Sequence, residues 1–335
     1  MADLFWPADI HPSAVEWKLI DSTAVFTSPL TGATRTVSRG GLRWQCSLAF
    51  ENLSTTQRAR ALGTIAALKG RQNRLWLHDA SQSLGGSFPA VETLSNVDLT
   101  ATTGWTAGAE VSAYADGGRL RSTRTAVTAD SSLSSQATVT AGVQYLFRAL
   151  AIAGKGSMSY DLRLGSTAGA SDITNGTNLT AAGYQYVTGS VAGTTMHAGM
   201  GDLYSGRSVD GYQSIAIPSL ARCALVKGAS QTGSALLIDA LPTSTDGLLL
   251  AGDMVSVYTS RWELKRVTAA LNSNGSGEGY LQFEPPLATS PSDNAPIAIY
   301  RPTARFLLSE DDPTWSTRPG LFSDVSLTLI EDLVP

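Results

Sequence analysis

The stretch Leu42–Asp79, LRWQCSLAFENLSTTQRARALGTIAALKGRQNRLWLHD, decides the fold. It opens with strict alternation: Leu42, Trp44, Cys46, Leu48 and Phe50 share one face, and Arg43, Gln45, Ser47 and Ala49 share the other. That period of two predicts a half-buried strand. Ser54 followed by Gln57 has capping-box spacing, and Leu62, Ile65, Ala66 and Lys69 recur at the spacing of one helical face until Gly70. The segment therefore predicts a helix over 55–69, stopped at the glycine. Arg74 to His78 reads as a second, short strand. A strand-helix-strand unit of this size cannot bury a core alone. The apolar strands that could complete it resume only after residue 233, so the fold is read as interrupted.

Composition agrees with a mainly β protein. The 335 residues are 43% hydrophobic, enough for packed cores at a length that favours more than one domain. Outside 55–69 the Val, Tyr and Thr residues fall in short runs between turn residues. A formal charge of -4, with no Lys/Arg cluster interleaved with aromatics, gives no footprint for nucleic acid. The amino terminus MADLFWPADIH lacks a basic segment followed by an apolar core, and no long apolar window occurs. The expectation is a chain with neither standard export signal nor membrane insertion. Cys46 and Cys223 both sit in apolar runs and read as buried free thiols.

Upstream of the deciding stretch, TAVFTS and ATRTVS flank the turn Pro29–Gly32 and predict a β-hairpin. Phe5 and Trp6, beside Pro7, precede any regular pattern. They must pack back onto the domain or be covered by a neighbouring subunit; the reading adopted is a subunit interface.

After Asp79 the composition changes. Residues 89–228 hold 18 Gly and 33 Ser or Thr but only two Pro, and their 9 basic and 9 acidic residues cancel. Of the chain's 24 basic and 28 acidic residues, 15 and 19 lie outside, so the outer segments carry the whole net charge. The expected organisation is one discontinuous β-sandwich domain with one helix, built from 1–88 and 229–335, interrupted by a sandwich of about eight strands over 89–228. In the last segment, NSNGSGEG from Asn272 mimics a phosphate loop but lacks its Lys and Ser/Thr, and reads as a hairpin turn.

Catalytic patterns are sparse. His11, His78 and His197 stand far apart without Cys or carboxylate at metal-ligand spacing. GMGDLY from Gly199 has Tyr204 where a dinucleotide fingerprint needs glycine, and no pair among the 28 acidic residues stands out for glycoside hydrolysis. No enzyme is expected. For sugar stacking the candidates are Trp105, Tyr184 and Tyr204, with Tyr114 and Tyr186 behind them and Arg207 and Asp202 beside Tyr204 in sequence. Trp105 in GWT and the alternating tyrosines are also commonly core residues of a jelly roll, so the sandwich also reads as a scaffold that binds no sugar.

The order FTSPLTG, RWQCSLAF, STTQRARALGTIAALKG, RLWLHD and, at the far end, ARFLLSEDDPTWSTRPGLFSDVSLTLIEDL resembles the distal tail proteins of long, flexible-tailed bacteriophages. The resemblance covers residues 1–85 and 234–335. It implies a structural virion protein: a homo-oligomeric ring, usually a hexamer, joining the tail tube protein to the tail-tip hub or baseplate, without catalytic residues. The middle segment, through ATTGWTAGAEVSAYADGGRLRSTRT, LSSQATVTAGVQYLFRALA and RSVDGYQSIAIPSLARCALV, resembles jelly-roll carbohydrate-binding modules. That resemblance implies binding of host-surface glycans. It also implies a structural calcium held by Asp210, with Asp98 as a weaker ligand, although an Asp at a strand start is also an ordinary turn former. The alternatives are a stand-alone carbohydrate-binding protein or a glycoside hydrolase with an accessory module.

Overall fold

A computed structural model describes the chain except residues 1, 8, 22, 38–40, 79–83, 100, 109–110, 117, 126–130, 156–160, 176–182, 203–211, 311–313, 318–322 and 334–335. The protein is mainly β, with 51% of residues in strands and a single helix among the described residues.

The deciding stretch folds as read. Trp44, Cys46, Leu48 and Phe50 are buried along the strand Arg43–Leu53. The helix is Thr55–Leu68, and its capping box is complete: the Gln57 amide donates to Ser54 Oγ, and the Ser54 amide donates to Gln57 Oε1 at 3.1 Å. Two of the four free N–H groups of the first turn are thereby satisfied. The left-handed stop falls at Lys69 (φ 50°) and continues through Gly70 (φ 61°). The buried face differs from the expected one. It is Ala61, Ile65 and Leu68, with Leu62 half-buried, while Ala66 and Lys69 are exposed. The i, i+4, i+7 stripe centred on Ile65 wins because it alone ends on Leu68, whose burial contributes about 1.5–3 kcal/mol.

The helix packs on a seven-stranded body sheet. Its order is Asp3–Phe5, Arg74–His78, Thr303–Leu308, Ser323–Glu331, Arg43–Leu53, Ala14–Ile20, with Thr314–Thr317 also paired to Ser323–Glu331. The two ends of the chain thus build one sheet, through pairs such as Leu48 with Leu327 and Ala304 with Leu77.

The expectation that everything after 229 would complete this sheet is corrected. Strands Ala224–Val226, Ala235–Asp239, Gly279–Glu284, Trp262–Val267, Met254–Tyr258 and Pro296–Ala298 close into a barrel of their own. Among the described strands after 229, only Thr303–Leu308, Thr314–Thr317 and Ser323–Glu331 return to the body sheet. Closure gives each barrel strand two neighbours and so removes its edges. Phe88 and Ala90, from the segment leading into the insertion, fill the barrel core beside Ile238 and Phe283. The turn after Asn272 is as expected: Asn274 Oδ1 accepts from the amides of Ser276 and Glu278.

The insertion is a sandwich of two five-stranded sheets, two strands more than expected. One sheet runs Thr174–Asn175, Asp161–Gly165, Thr195–Asp202, Ser131–Thr138, Trp105–Ala107. The other runs Gly183–Gly189, Tyr145–Lys155, Tyr212–Arg222, Arg119–Arg124, Val111–Asp116. Leu133, Phe147, Leu162, Met196 and Ile215 fill the space between them. At its entrance, Glu92 Oε1 accepts from the amides of Thr93, Leu94 and Leu220, which fastens the incoming chain to the last long strand.

Candidate functional site

The rings expected to stack on sugar are placed mostly inside. Trp105 is buried in the sandwich core with Leu133 and Leu162. Tyr184 is 8% exposed and lies face to face with Trp76 of the body sheet, centroids 5.0 Å apart at 24°. Both are corrections: a ring whose faces are covered by the chain itself offers no platform to a sugar. Tyr204, Asp210 and Arg207 lie outside the described residues, as does the side chain of Asp202. Tyr114 is 58% exposed on the edge strand Val111–Asp116, and its cross-strand partner is Arg121. Among the described residues, no three His, Cys, Asp or Glu side chains group together as metal ligands. Asp98, the second calcium candidate, is exposed at the rim of a pocket in which it is the one carboxylate.

Tyr184 belongs to an aromatic junction where body, sandwich and barrel meet. Trp76 and Phe5 come from the body, Leu146, Leu150 and Tyr184 from the sandwich, and Leu225 and Trp262 from the barrel. Tyr186 meets Tyr258 edge-on at 4.5 Å and Trp262 at 5.6 Å. Arg148, 1% exposed, is the polar centre of this junction. Its Nη2 donates to the carbonyls of Tyr300 at 2.6 Å and Arg301 at 2.5 Å, and its guanidinium lies 5.5 Å from the centroids of both Tyr184 and Trp262. Carbonyl lone pairs and ring faces offset part of the cost of burying this cation, whose Nη1 is buried without a hydrogen-bond partner among the described residues. Cys223, in the same cluster, has its thiol pushed up to about 12 by burial, so it is chemically inert.

A second seam ties barrel to body. Glu331 accepts from the amides of Trp44 and Leu264, each at 3.1 Å, while the Trp44 indole donates to the Leu264 carbonyl at 3.0 Å. Burial pushes the Glu331 carboxyl up to about 7, against the pull of those two amides. Asp332 pairs with Arg74 at 2.6 Å and Arg305 at 3.0 Å, closing the last turn of chain over the body sheet. Met254 and Leu264 of the barrel enter the body core directly. The three parts are therefore joined by packed, hydrogen-bonded interfaces rather than by tethers.

Phe5 and Trp6, expected at a subunit interface, pack back onto their own chain. Phe5 is 8% exposed beneath the Arg119 guanidinium, and Trp6 stacks on Phe50 at 4.5 Å with its indole donating to the Ile10 carbonyl. In doing so Trp6 forms one wall of a cavity of about 110 Å³, whose other apolar walls include Ile10, Val15, Leu48 and Phe50. His78 also lines it, its pKa lowered to about 3 by desolvation and then by the charges of Arg301 and Arg148, so this ring is neutral throughout the physiological range.

Among the described residues, exposed large apolar side chains cluster on the hairpin Ala24–Thr27/Thr34–Val37, while Val91, Leu250, Tyr280 and Trp315 are exposed elsewhere. Among the described residues, the two strands of the hairpin pair only with each other. Val25, Phe26 and Val37 are 63%, 65% and 63% exposed, and Leu30 at the tip is 94% exposed. The sequence carried the signal: an apolar hairpin with no third strand to cover it. An isolated two-stranded ribbon is marginal in water, and apolar side chains on both of its strands mark a contact surface.

No family model matches this chain, and no curated protein matches it. Among solved structures, the adhesin domain of Epf from Streptococcus pyogenes is similar at 13% identity and a TM-score of 0.29, over 63% of this chain and 79% of that one. A likeness this loose carries no argument about function.

Proposed function

We propose that this protein is a structural component of a phage virion: a distal tail protein that assembles into a closed, six-membered ring between the tail tube and the tail-tip hub. The observation that carries the reading is the uncovered apolar hairpin on an otherwise tightly joined three-part body. A monomer gains nothing from exposing Phe26 and Leu30, whereas a cyclic assembly buries them in every subunit. The resemblance of the two end segments to distal tail proteins fits the discontinuous body sheet, in which residues 3–78 and 303–331 are interleaved.

The sandwich is the part that meets the host surface in this reading. Tyr114 and Arg121 on its edge hairpin are the pair offered to a glycan, since Trp105 and Tyr184 are covered. Binding per copy is weak, and repetition around the ring supplies the avidity. The test is the mass of the purified full chain by native mass spectrometry across a concentration series. A discrete hexamer is expected, and a monomer at every concentration overturns the reading.

A further inference from the structure

We infer that the ring contact is heterologous: the hairpin Ala24–Thr27/Thr34–Val37 of one copy seats Leu30 or Phe26 in the Trp6–Phe50 cavity of the next copy. This deepens the ring reading and rests on it. Three observations bring arm and seat together. The cavity, about 110 Å³, has room for one large aliphatic or aromatic side chain. Trp6, Ile10, Val15, Leu48 and Phe50 give it apolar walls beside the polar side chains of His11, His78, Asp98 and Arg301, and the tip of the hairpin, Ser28–Ala33, carries no charge to desolvate. The chain's own hairpin does not fill this seat, because Leu30 is 94% exposed. Val15, at the start of Ala14–Ile20, lines the cavity, and the hairpin follows the far end of that strand, about 17 Å away along it. Arm and seat thus lie at opposite ends of one edge strand, the arrangement that generates head-to-tail rather than two-fold contacts.

Area decides what such a contact can hold. Four exposed side chains at roughly 60–120 Å² each, about two-thirds available, bring on the order of 250 Å² of apolar surface, or about 500 Å² with the seat that covers them. A stable isolated pair needs about 1,000 Å² or more. One arm-in-seat contact falls short of that threshold, but in a closed ring every copy gives one arm and receives one, so each copy is held on two sides and closure of the ring supplies the avidity that a single contact lacks. Assembly is therefore expected to pass from monomer to closed ring without a populated dimer.

The test uses the full chain with Leu30→Cys and His11→Cys, His11 being exposed at the rim of the cavity, and a short bis-maleimide. All variants carry Cys46→Ala, because Cys46, although buried, lines the cavity; Cys223 is fully buried. The proposal predicts a ladder of covalent multimers from the double variant and none from either single variant. Dimers from Leu30→Cys alone would show arms meeting across a two-fold axis and overturn it. A ring of full mass without the ladder would place the arm elsewhere, overturning this inference while leaving the ring reading intact. A chain that is monomeric throughout overturns both. As a fold control, Phe26→Asp with Leu30→Asp should keep the wild-type melting temperature while raising the concentration for half-assembly by ~10²-fold or more; unaltered assembly would contradict the proposal.

Discussion

Truncating Tyr184 separates a junction residue from a surface one. The ring is 8% exposed, stacked on Trp76 at 5.0 Å, set edge-on to Trp262 at 6.5 Å and covered by the Arg148 guanidinium at 5.5 Å. Tyr184→Ala removes buried aromatic surface and leaves a cavity, a loss of about 3–5 kcal/mol, of which the Trp76 stack supplies about 0.5–1.5 kcal/mol. Because body, sandwich and barrel share this cluster, unfolding of one part is coupled to the others. At about 2 cal/mol/K per residue over 335 residues, a 4 kcal/mol loss lowers the melting temperature by about 6 °C if the chain unfolds as a unit. Calorimetry reads that shift, and it also shows whether the sandwich transition splits from the rest once its anchor is cut. The cycle with Trp76→Ala isolates the stack: the two losses should fall short of additivity by about 1 kcal/mol. A melting temperature unchanged in Tyr184→Ala, with additive losses in the cycle, would refute the interdomain role of this ring.

Arg148→Met keeps the stem but strands the carbonyls of Tyr300 and Arg301, so the expected loss is about 2–4 kcal/mol with new protease cleavage near the junction; full protection would show the clamp to be inert. For Glu331 the folded-state pKa, about 7, lies above the ordinary glutamate value of 4.5, so its contribution is fully present below 4.5 and is lost as pH rises through 7. The stability of wild type relative to Glu331→Gln should therefore fall by about 3 kcal/mol between pH 4.5 and 8, and a flat difference in denaturant titrations would contradict the burial argument. His78 has the opposite sign: its pKa is depressed from 6.5 to about 3, so stability is present above 6.5 and is lost as pH falls towards 3. Wild type minus His78→Gln should be constant above pH 6.5 and shrink below it by at most about 1.4 kcal/mol per pH unit, which pH-resolved melting curves measure.

Local rules read well in this chain and long-range pairing did not. Ser54 and Gln57 announce their cap within four residues, and Trp44 to Phe50 announce their buried face by alternation alone. Alternation does not say which strand lies alongside. Leu236, Ile238, Val255 and Val257 show the same apolar pattern as Phe306 and Leu308, yet the first four line a closed barrel and the last two the body sheet. Tyr184 was misread for a related reason. On the sandwich alone its face would be open, and only the approach of Trp76, more than a hundred residues earlier, covers it. Phe5 and Trp6 looked like an unattached arm because nothing near them in sequence reveals Arg119 or Phe50 as neighbours. The hairpin at Val25–Val37 is legible in the sequence, and its exposure could have been read too, since its apolar residues lack any local partner beyond one another.

The most direct test of the central claim is the position of this chain in an assembled particle, read from a cryo-electron density map of the tailed virions made by cells that carry its gene. The account predicts one closed ring at the junction of tube and tip, six copies around the axis, with body and barrel forming the ring and the sandwich on its outer side. Virions whose tube-to-tip junction is built wholly from other chains, with this one absent from the particle, would contradict it.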